Sequence, residues 1–315
     1  MGSKFTLENL RRVKKNPSVL LGELGMLALT ANQHLSRTTG EPVMDQDWDV
    51  LLLLDGCRFD MFEESNRLEG NLTRFTSLGS HSTEFIRRNF AGEQYHDTVY
   101  VSANPHVESI KGREIFHDIV DVFDWGWDKE YQTVLPETVA DATIETAQKY
   151  PNKRIISHFM QPHTPFIGDR GEKITHAGLT GEGGDRDTGV ASDELSLWMR
   201  LRYRLATEPL DQIWKAFVEN LELAIPHVER IWGSVSGKVV VSADHGNMMG
   251  ERMYPIPAKM WGHPPKIDHP VLTEVPWLEM PYEGRRTATS DQPVAETKQM
   301  NESEVENRLH ALGYT

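Results

Sequence analysis

Four short apolar runs punctuate the chain: Val50-Leu-Leu-Leu-Leu54, Thr98-Val-Tyr-Val-Ser102, Arg154-Ile-Ile-Ser-His-Phe159 and Lys238-Val-Val-Val-Ser242. Continuous runs of this length suit strands covered on both faces, as in a parallel sheet. Helix-periodic stretches lie between them. Residues 136–150 open on a proline suited to a first helical turn, and residues 210–232 carry Ile213, Phe217, Leu221 and Ile225 at near-helical spacing. Strand and helix in alternation predict an α/β fold with a mostly parallel central sheet and helices on both faces. No internal repeat is visible.

Texture divides the chain into three parts. Residues 1–45 read as an N-terminal helical appendage. In it Leu7, Leu10, Val13, Leu20, Leu21 and Leu24 recur at helix-like spacing, Arg11, Arg12, Lys14 and Lys15 lie on the other side, and Pro17 interrupts the pattern. A basic amphipathic helix either packs on its own domain or rests on a membrane surface. Residues 46–282 form the α/β body, within which 168–192 is rich in Gly, Asp and Thr and reads as an exposed loop. Residues 283–315 read as a polar, peripheral linker followed by a short helix over 302–312 that stops at Gly313.

Composition then narrows the class. The 315 residues, 38% of them apolar, suffice for a substantial core without covalent or metal staples. The single cysteine, Cys57, excludes a disulfide framework and a zinc site built on several thiolates. The best apolar run, residues 19–29, contains Glu23 and reaches about half the length of a membrane span, so no transmembrane segment is expected. No clean leader pattern opens the chain, and a cytoplasmic location is the default expectation. With 33 basic and 47 acidic residues the net charge is −14, and the basic footprint of a nucleic-acid binder is missing. Such a chain still binds an anionic substrate where a metal ion and local Arg or His residues invert the field.

Polar residues gather where the apolar runs end, and ligands of open α/β sheets bind outside those carboxyl ends. Val239-Val-Val-Ser-Ala-Asp244-His245-Gly246 sets a carboxylate beside an imidazole, with a glycine for a tight turn, a pair suited to one divalent cation. Asp55 follows four leucines, where an ionised carboxylate is costly unless exposed, paired or metal-bound; capping the next helix is the plainer role. Gly56 permits a turn close to a ligand, and Arg58 offers a guanidinium to an anion. Ser80, Ser82 and Thr83 precede a helical stretch ending near Gly92, where hydroxyls meet an oxyanion-favouring helix start or serve as ordinary caps. His163 in Gln161-Pro-His-Thr-Pro-Phe166 and His263 in Gly262-His-Pro-Pro265 complete the set, with His158, His269 and Lys266 as further polar neighbours. Trp125 and Trp127 either line a pocket or belong to a local core.

Taken together, these motifs resemble the alkaline phosphatase superfamily, and its sulfatase-like branch most. Leu54-Asp55-Gly56-Cys57-Arg58 looks like that superfamily's first metal strand, an apolar run ending in Asp with Arg three residues on. Ser82 lies ten residues before Gly92, the interval between the nucleophile and the helix-closing glycine in sulfatases and nucleotide phosphodiesterases. Pro162-His163-Thr-Pro165 is similar to the sulfatase Pro-His-x-Pro element. Asp244-His245-Gly246 is similar to the metal motif of phosphodiesterases, cofactor-independent phosphoglycerate mutases and phosphonate hydrolases, and Gly262-His263-Pro264 with Val275-Pro276 to the sulfatase-like closing segment. The resemblance spans residues 46–282.

The resemblance implies a divalent cation (Mn, Zn, Mg or Ca) held by Asp55, Asp244 and His245, with the nucleophile hydroxyl, Ser82, as a further ligand and Thr83 as the neighbouring alternative. It also implies that His163, His263 and Arg58 orient substrate oxygens or assist the leaving group. Two-metal members carry an Asp and a His in the region of 161–166; only His163 stands there, so one ion is expected. Ser82 is followed by Thr83-Glu84-Phe85-Ile86, without the Pro and Arg of sulfatases that oxidise this position, so a plain hydroxyl is expected. The expected activity is hydrolysis or transfer of a phosphate-type ester through a covalent intermediate, the substrate being a small-molecule, glycan-linked or lipid-linked ester. Sulfate ester hydrolysis and a non-catalytic metal-binding domain are the alternatives. Cys57 is expected to be structural.

Overall fold

The computed structural model describes residues 18–36, 39–110, 114–175, 196–294, 308, 309 and 312. Its strands in chain order are β1 (Val50–Asp55), β2 (Asn71–Thr76), β3 (Tyr95–Ser102), β4 (Phe116–Asp121), the short pair β5 (Trp127–Asp128) and β6 (Thr133–Val134), β7 (Arg154–Pro162), β8 (Val239–Ser242), the hairpin β9 (Met248–Arg252) and β10 (Lys259–Gly262), and β11 (Glu274–Glu279). The helices used below are α1 (Ser18–Leu35), α2 (Phe59–Ser65), α3 (Ser82–Phe90), α4 (Pro136–Lys149), α5 (Leu197–Arg202) and α6 (Leu210–Trp232).

A 7-stranded sheet runs in the order β2-β11-β8-β1-β7-β3-β4. From β8 across to β4 every pairing is parallel, while β11 runs antiparallel to both of its neighbours. The expected α/β architecture, a mostly parallel sheet flanked by helices, is the one observed. Every residue of β1 is buried, which requires both faces of the sheet to be covered. Helices α4 and α6 pack against each other and against β7. Ile213, Phe217, Leu221 and Ile225, spaced nearly a helical turn apart, are the buried stripe of α6.

The sheet register places the site. β1 and β7 pair in step from Val50↔Ile155 to Leu54↔Phe159, after which the partner of Asp55 is Pro162. The extra residues of β7 carry its chain outward at the carboxyl end, where the His163 backbone N–H donates to the Asp55 carbonyl at 3.1 Å. Two polar segments thereby meet at the sheet centre.

The ends of the chain differ from the expectation in detail. Val43 and Met44, expected within the appendage, are buried in the main core with Trp48. The basic stretch before Pro17 lies outside the described residues, as does the expected exposed loop beyond residue 175. Of the C-terminal helix only Arg308 and Leu309 are described as helical, and Leu312 is buried.

The segment after Gly284, expected to be peripheral, is a strap across the opposite end of the sheet. Buried Asp49, just ahead of β1, accepts from the Lys238 N–H at 2.7 Å and the Arg286 N–H at 3.2 Å. The Arg285 guanidinium adds a two-point pair at 2.7 and 3.1 Å. Arg286 donates to the carbonyls of Ala147, Tyr150 and Lys153, and the Lys153 ammonium pairs with Asp291 at 2.7 Å. Polar composition hid this role, because the bonds run from side chains to backbone and leave no apolar signature.

Burial alone would raise the Asp49 carboxyl; the hydrogen bonds from Arg285, Lys238 and Arg286 outweigh it and hold the group below its ordinary value. A carboxyl depressed in the folded state stabilises the fold above about pH 4, and that contribution is lost as pH falls further. Asp49→Ala is expected to cost about 2–5 kcal/mol, because it strands buried backbone donors and breaks the ion pair. Urea denaturation at pH 7 measures the loss, and repeating it below pH 4 should narrow the gap between the two proteins.

Candidate metal centre

Two carboxyl-terminal strand ends and one helix start build the site. Asp55 closes β1, Asp244 and His245 follow β8, and Ser82 is the first residue of α3; all four are buried. Ligand atoms of Asp55, Asp244 and His245 lie within 4.8 Å of one another, which makes them a group able to hold one cation among the described residues. His245 Nε2 lies 3.6 Å from Asp55 Oδ1, 3.4 Å from Asp244 Oδ2 and 3.1 Å from Ser82 Oγ.

Each carboxylate is turned so that one oxygen is tied to protein and the other meets the cluster. Asp55 Oδ2 accepts from the Asn104 amide at 2.7 Å. Asp244 Oδ1 accepts from the backbone N–H groups of Gly56 at 3.1 Å and His245 at 2.8 Å. Asp244 Oδ2 faces His245 Nε2 and, at 3.5 Å, His158 Nε2; these separations exceed hydrogen-bond length, so this buried acceptor lacks a hydrogen bond. His245 Nδ1 sits 2.7 Å from the Gly246 carbonyl, which can only accept, so Nδ1 carries a proton and Nε2 is the ring atom turned to the carboxylates. Two carboxylates, an imidazole nitrogen and a hydroxyl, dry and converging, are a donor set for a divalent cation.

Backbone geometry makes the convergence possible. Gly56 turns with φ +71°, and an added Cβ would stand 3.8 Å from His245 Cε1. Gly246 donates to the Leu272 carbonyl at 2.8 Å, and a Cβ there would collide with the Val271 carbonyl. The two glycines that follow the two aspartates therefore let the ligand loops close on one point.

A wall of imidazoles surrounds the centre. The His263 ring centroid is 4.7 Å from that of His245, 4.9 Å from His163 and 5.0 Å from His81; His81 in turn is 5.2 Å from His106. Burial pushes His163 and His106 down to about 4, and drives His81 and His263 well below their ordinary value. Asp244 moves the other way from a lone buried acid: burial would raise it, but His245, His158 and the Ser82 hydroxyl hold it well below the usual carboxylate range. The centre thus combines an ionised acid with the neutral imidazoles of His81, His106, His163 and His263.

Beneath it, Tyr100 Oη and His158 Nδ1 are 2.8 Å apart, and His158 Nε2 points at Asp244. In the sequence His158 stands out only as a polar neighbour, and its signal is a histidine inside the buried run of β7. Asn104, His81 and His106 went unremarked as site residues, since each is a single polar residue without a motif around it.

The remaining sequence candidates fall as follows. Ser80 Oγ donates to the Pro264 carbonyl at 2.9 Å and ties α3 to the loop that carries His263. Thr83 donates its backbone N–H to His81 Nδ1 at 3.1 Å. Arg58 is clamped by Asp60 and Glu251, both at 2.6 Å, and donates to the Asn247 carbonyl at 3.1 Å. His269 caps the next short helix by accepting from Val271, and the Lys266 N–H donates to Glu84. Cys57 is buried, and burial pushes its thiol up, followed by the charges of Asp60 and Asp244. Trp125 is exposed, while Trp127 packs edge-on against Phe123 at 5.4 Å in a local aromatic cluster.

No protein-family model and no curated protein matches the sequence. Among solved structures, several are similar to this chain. The integral membrane lipooligosaccharide phosphoethanolamine transferase A of Neisseria meningitidis is 12% identical with a TM-score of 0.45, over 73% of this chain and 47% of that one. The C-terminal periplasmic domain of a phosphoethanolamine transferase from Campylobacter jejuni is 14% identical with a TM-score of 0.42, over 73% of this chain and 77% of that one. An alkaline phosphatase superfamily protein from Vibrio parahaemolyticus is 13% identical with a TM-score of 0.39, over 92% of this chain and 74% of that one. The chain is structurally similar to members of the alkaline phosphatase superfamily. It spans 47% of the length of the Neisseria protein.

The cytoplasmic placement expected from the sequence is not upheld: three of the similar solved structures are described as periplasmic domains. That expectation rested on a missing leader pattern, and an absence places no protein. Among the described residues, no helix is long and apolar enough to cross a membrane.

Proposed function

We propose that this protein is a metal-dependent phosphoesterase or phosphotransferase that works through a covalent ester on Ser82. One observation carries the reading: Ser82 Oγ lies 3.1 Å from His245 Nε2, at the edge of the buried Asp55, Asp244 and His245 group. When bound there, a divalent cation supplies acidification of a coordinated hydroxyl and neutralisation of charge on a phosphoryl oxygen.

The chain's own residues do the rest. Asp55, Asp244 and His245 hold the position of the cation. Ser82, at the start of α3, forms its bond to phosphorus as the bond to the leaving oxygen breaks, and the positive end of the helix faces the charge that develops. Neutral His163 and His263 orient non-bridging oxygens by hydrogen bonds. Arg58, expected from the sequence to touch substrate, is better read as a positioning residue, since its guanidinium links Asp60 in α2 to the Asn247–Glu251 stretch just past the metal ligands. Water then cleaves the Ser82 ester, or an acceptor alcohol takes the group. The residues after Ser82 lack the Pro and Arg of the oxidised sulfatase motif, which favours phosphate over sulfate.

A substrate panel tests the reading: aryl phosphate, a diaryl phosphodiester, an aryl phosphonate ester and aryl sulfate, each with and without Mn or Zn. Turnover of at least one phosphorus ester, dependent on added metal, is expected. Faster cleavage of the sulfate would replace this reading with a sulfatase, and no turnover under any metal condition would leave a non-catalytic metal-binding domain.

A further inference from the structure

His263 stands between two anchors. On its upstream side Arg202 of α5 donates to the Trp261 carbonyl at 3.2 Å, and Gly262 turns with φ +79° against the Trp198 ring. On its downstream side the chain reads Pro264-Pro265-Lys266-Ile267. Prolines carry no backbone N–H and hold φ at about −65°, so this stretch is stiff and its first backbone donors are Lys266 and Ile267. Both are taken by the start of α3, the helix that opens on Ser82. The Lys266 N–H donates to Glu84 Oε2 at 3.0 Å and the Ile267 N–H to Ser80 Oγ at 3.2 Å, while the Ser80 hydroxyl donates to the Pro264 carbonyl at 2.9 Å.

Glu84 closes the clamp. Its Oε2 also accepts from the Ser80 N–H at 3.2 Å and lies 3.1 Å from the Ser80 hydroxyl, and its Oε1 faces Arg88, one turn on, at 3.5 Å. Ser80 is buried and the Glu84 side chain is 14% exposed, so these bonds lie largely out of water, where they are stronger. Lys266, whose N–H reaches Glu84, turns with φ +58°, a left-handed conformation uncommon outside glycine. One carboxylate oxygen thus gathers donors from both sides of the gap between the nucleophile helix and the His263 loop. The clamp stands apart from the cation position. Glu84 follows Ser82 by two residues, which turns its side chain about 200° away around the helix axis.

We propose that Glu84 is a positioning residue for the transfer step: with Ser80 it ties the stiff loop after His263 to the start of α3 and so holds the His263 imidazole at a fixed place relative to Ser82. The proposal rests on the phosphoryl-transfer reading above, in which Ser82 attacks the group whose oxygens His263 orients. The His263 ring lies 4.7 Å from that of His245 and 5.0 Å from that of His81, the residue just before Ser82. Misplacing such a group by about 1 Å costs about 10²-fold in rate.

Two measurements on the full chain test this, one of them without turnover. In protein with isotope-labelled histidine, the NMR signal of the His263 ring is assigned through His263→Gln. It is expected to shift and broaden in Glu84→Ala, and to return in Glu84→Gln, whose amide carbonyl still accepts from Ser80 and Lys266; the His158 signal stays in place. In metal-dependent turnover of the phosphorus ester that the parent cleaves best, Glu84→Ala should lower kcat by about 10–100-fold with Mn affinity unchanged, and Glu84→Gln should recover most of the loss. Added to His263→Gln, the same Glu84→Ala change should have almost no effect on kcat, because the group it acts through is gone. Ser80→Ala, which deletes only a hydroxyl, should displace the His263 signal in the same direction and serves where Glu84→Ala fails to fold. A His263 signal that stays put would overturn the proposal, as would equal losses with and without His263, a fall in Mn affinity that matches the fall in kcat, or Glu84→Gln as impaired as Glu84→Ala. A parent inactive on every phosphorus ester would instead fail the phosphoryl-transfer reading, and the His263 signal, read without substrate, would still decide whether Glu84 holds that ring.

Discussion

Asp244→Asn is expected to abolish tight binding of a divalent cation and turnover together. Asp244 Oδ2 is a buried carboxylate oxygen turned to imidazole nitrogens at 3.4 and 3.5 Å, inside the group whose ligand atoms converge within 4.8 Å. The amide removes the negative charge and can offer an N–H in its place, so the coordination set loses a member at nearly constant volume. Loss of a residue that merely orients a metal ligand lowers affinity by about 10–100-fold, so loss of the ligand itself should exceed about 100-fold. Calorimetric titration with Mn or Zn into metal-stripped protein gives the number directly. His158→Gln supplies the graded control. It keeps a polar side chain near Asp244 but breaks the Tyr100 link, and a loss of about 10–100-fold is expected. Cys57→Ala, two residues from Asp55 but buried and protonated, should leave affinity and turnover nearly unchanged. Unaltered metal affinity in Asp244→Asn would sink the centre as described.

The parts of the fold that the sequence revealed are those whose burial is written in consecutive residues. β1, β7 and β8 are covered on both faces, so their burial is nearly continuous and mostly apolar, and α6 keeps its apolar stripe over its whole length. The strands that escaped notice break that pattern. β2, Asn71-Leu-Thr-Arg-Phe-Thr76, is an edge strand with mostly exposed positions. β11 contains Pro276, which normally argues against an interior strand; here Pro276 precedes Trp277–Glu279, the residues that pair with β8. β4, Phe116-His-Asp-Ile-Val-Asp121, forms the other edge and mixes charge with apolar residues.

The same rule explains the site. Asp55 and Asp244 stand at the ends of buried runs, where a carboxylate is conspicuous against its surroundings. Asn104, two residues past β3, orients Asp55 from a distance of 49 positions along the chain, and only the register of β1, β7 and β3 brings the two together. His81 and His106 likewise meet through packing of α3 on the turn that follows β3. Ligands at strand ends are legible because local sequence positions them; the groups that orient those ligands are set by tertiary packing, which leaves no periodic trace. Arg58 is a different case. Its spacing from Asp55 suggested a substrate contact, whereas Asp60 and Glu251 occupy its guanidinium.

Ser82→Ala should lower turnover by about 10³-fold or more while metal affinity falls far less than in Asp244→Asn. Ser82 and Thr83 are adjacent in one helix, so their side chains diverge by about 100° around its axis and only one can face the Asp55–Asp244–His245 group. Ser82 Oγ occupies that direction, 3.1 Å from His245 Nε2. Thr83 is fixed by its backbone N–H on His81 Nδ1, and Thr83→Ala should change turnover by less than about tenfold. The covalent step adds a readout that a structural role would not give. Acid quenching during turnover of an aryl phosphate should leave one phosphoryl group on the peptide that contains Ser82, detectable by mass spectrometry and missing in Ser82→Ala. Phosphoryl found on Thr83, or full activity in Ser82→Ala with loss in Thr83→Ala, would move the nucleophile one position along α3 and require a helix start rotated from the one described.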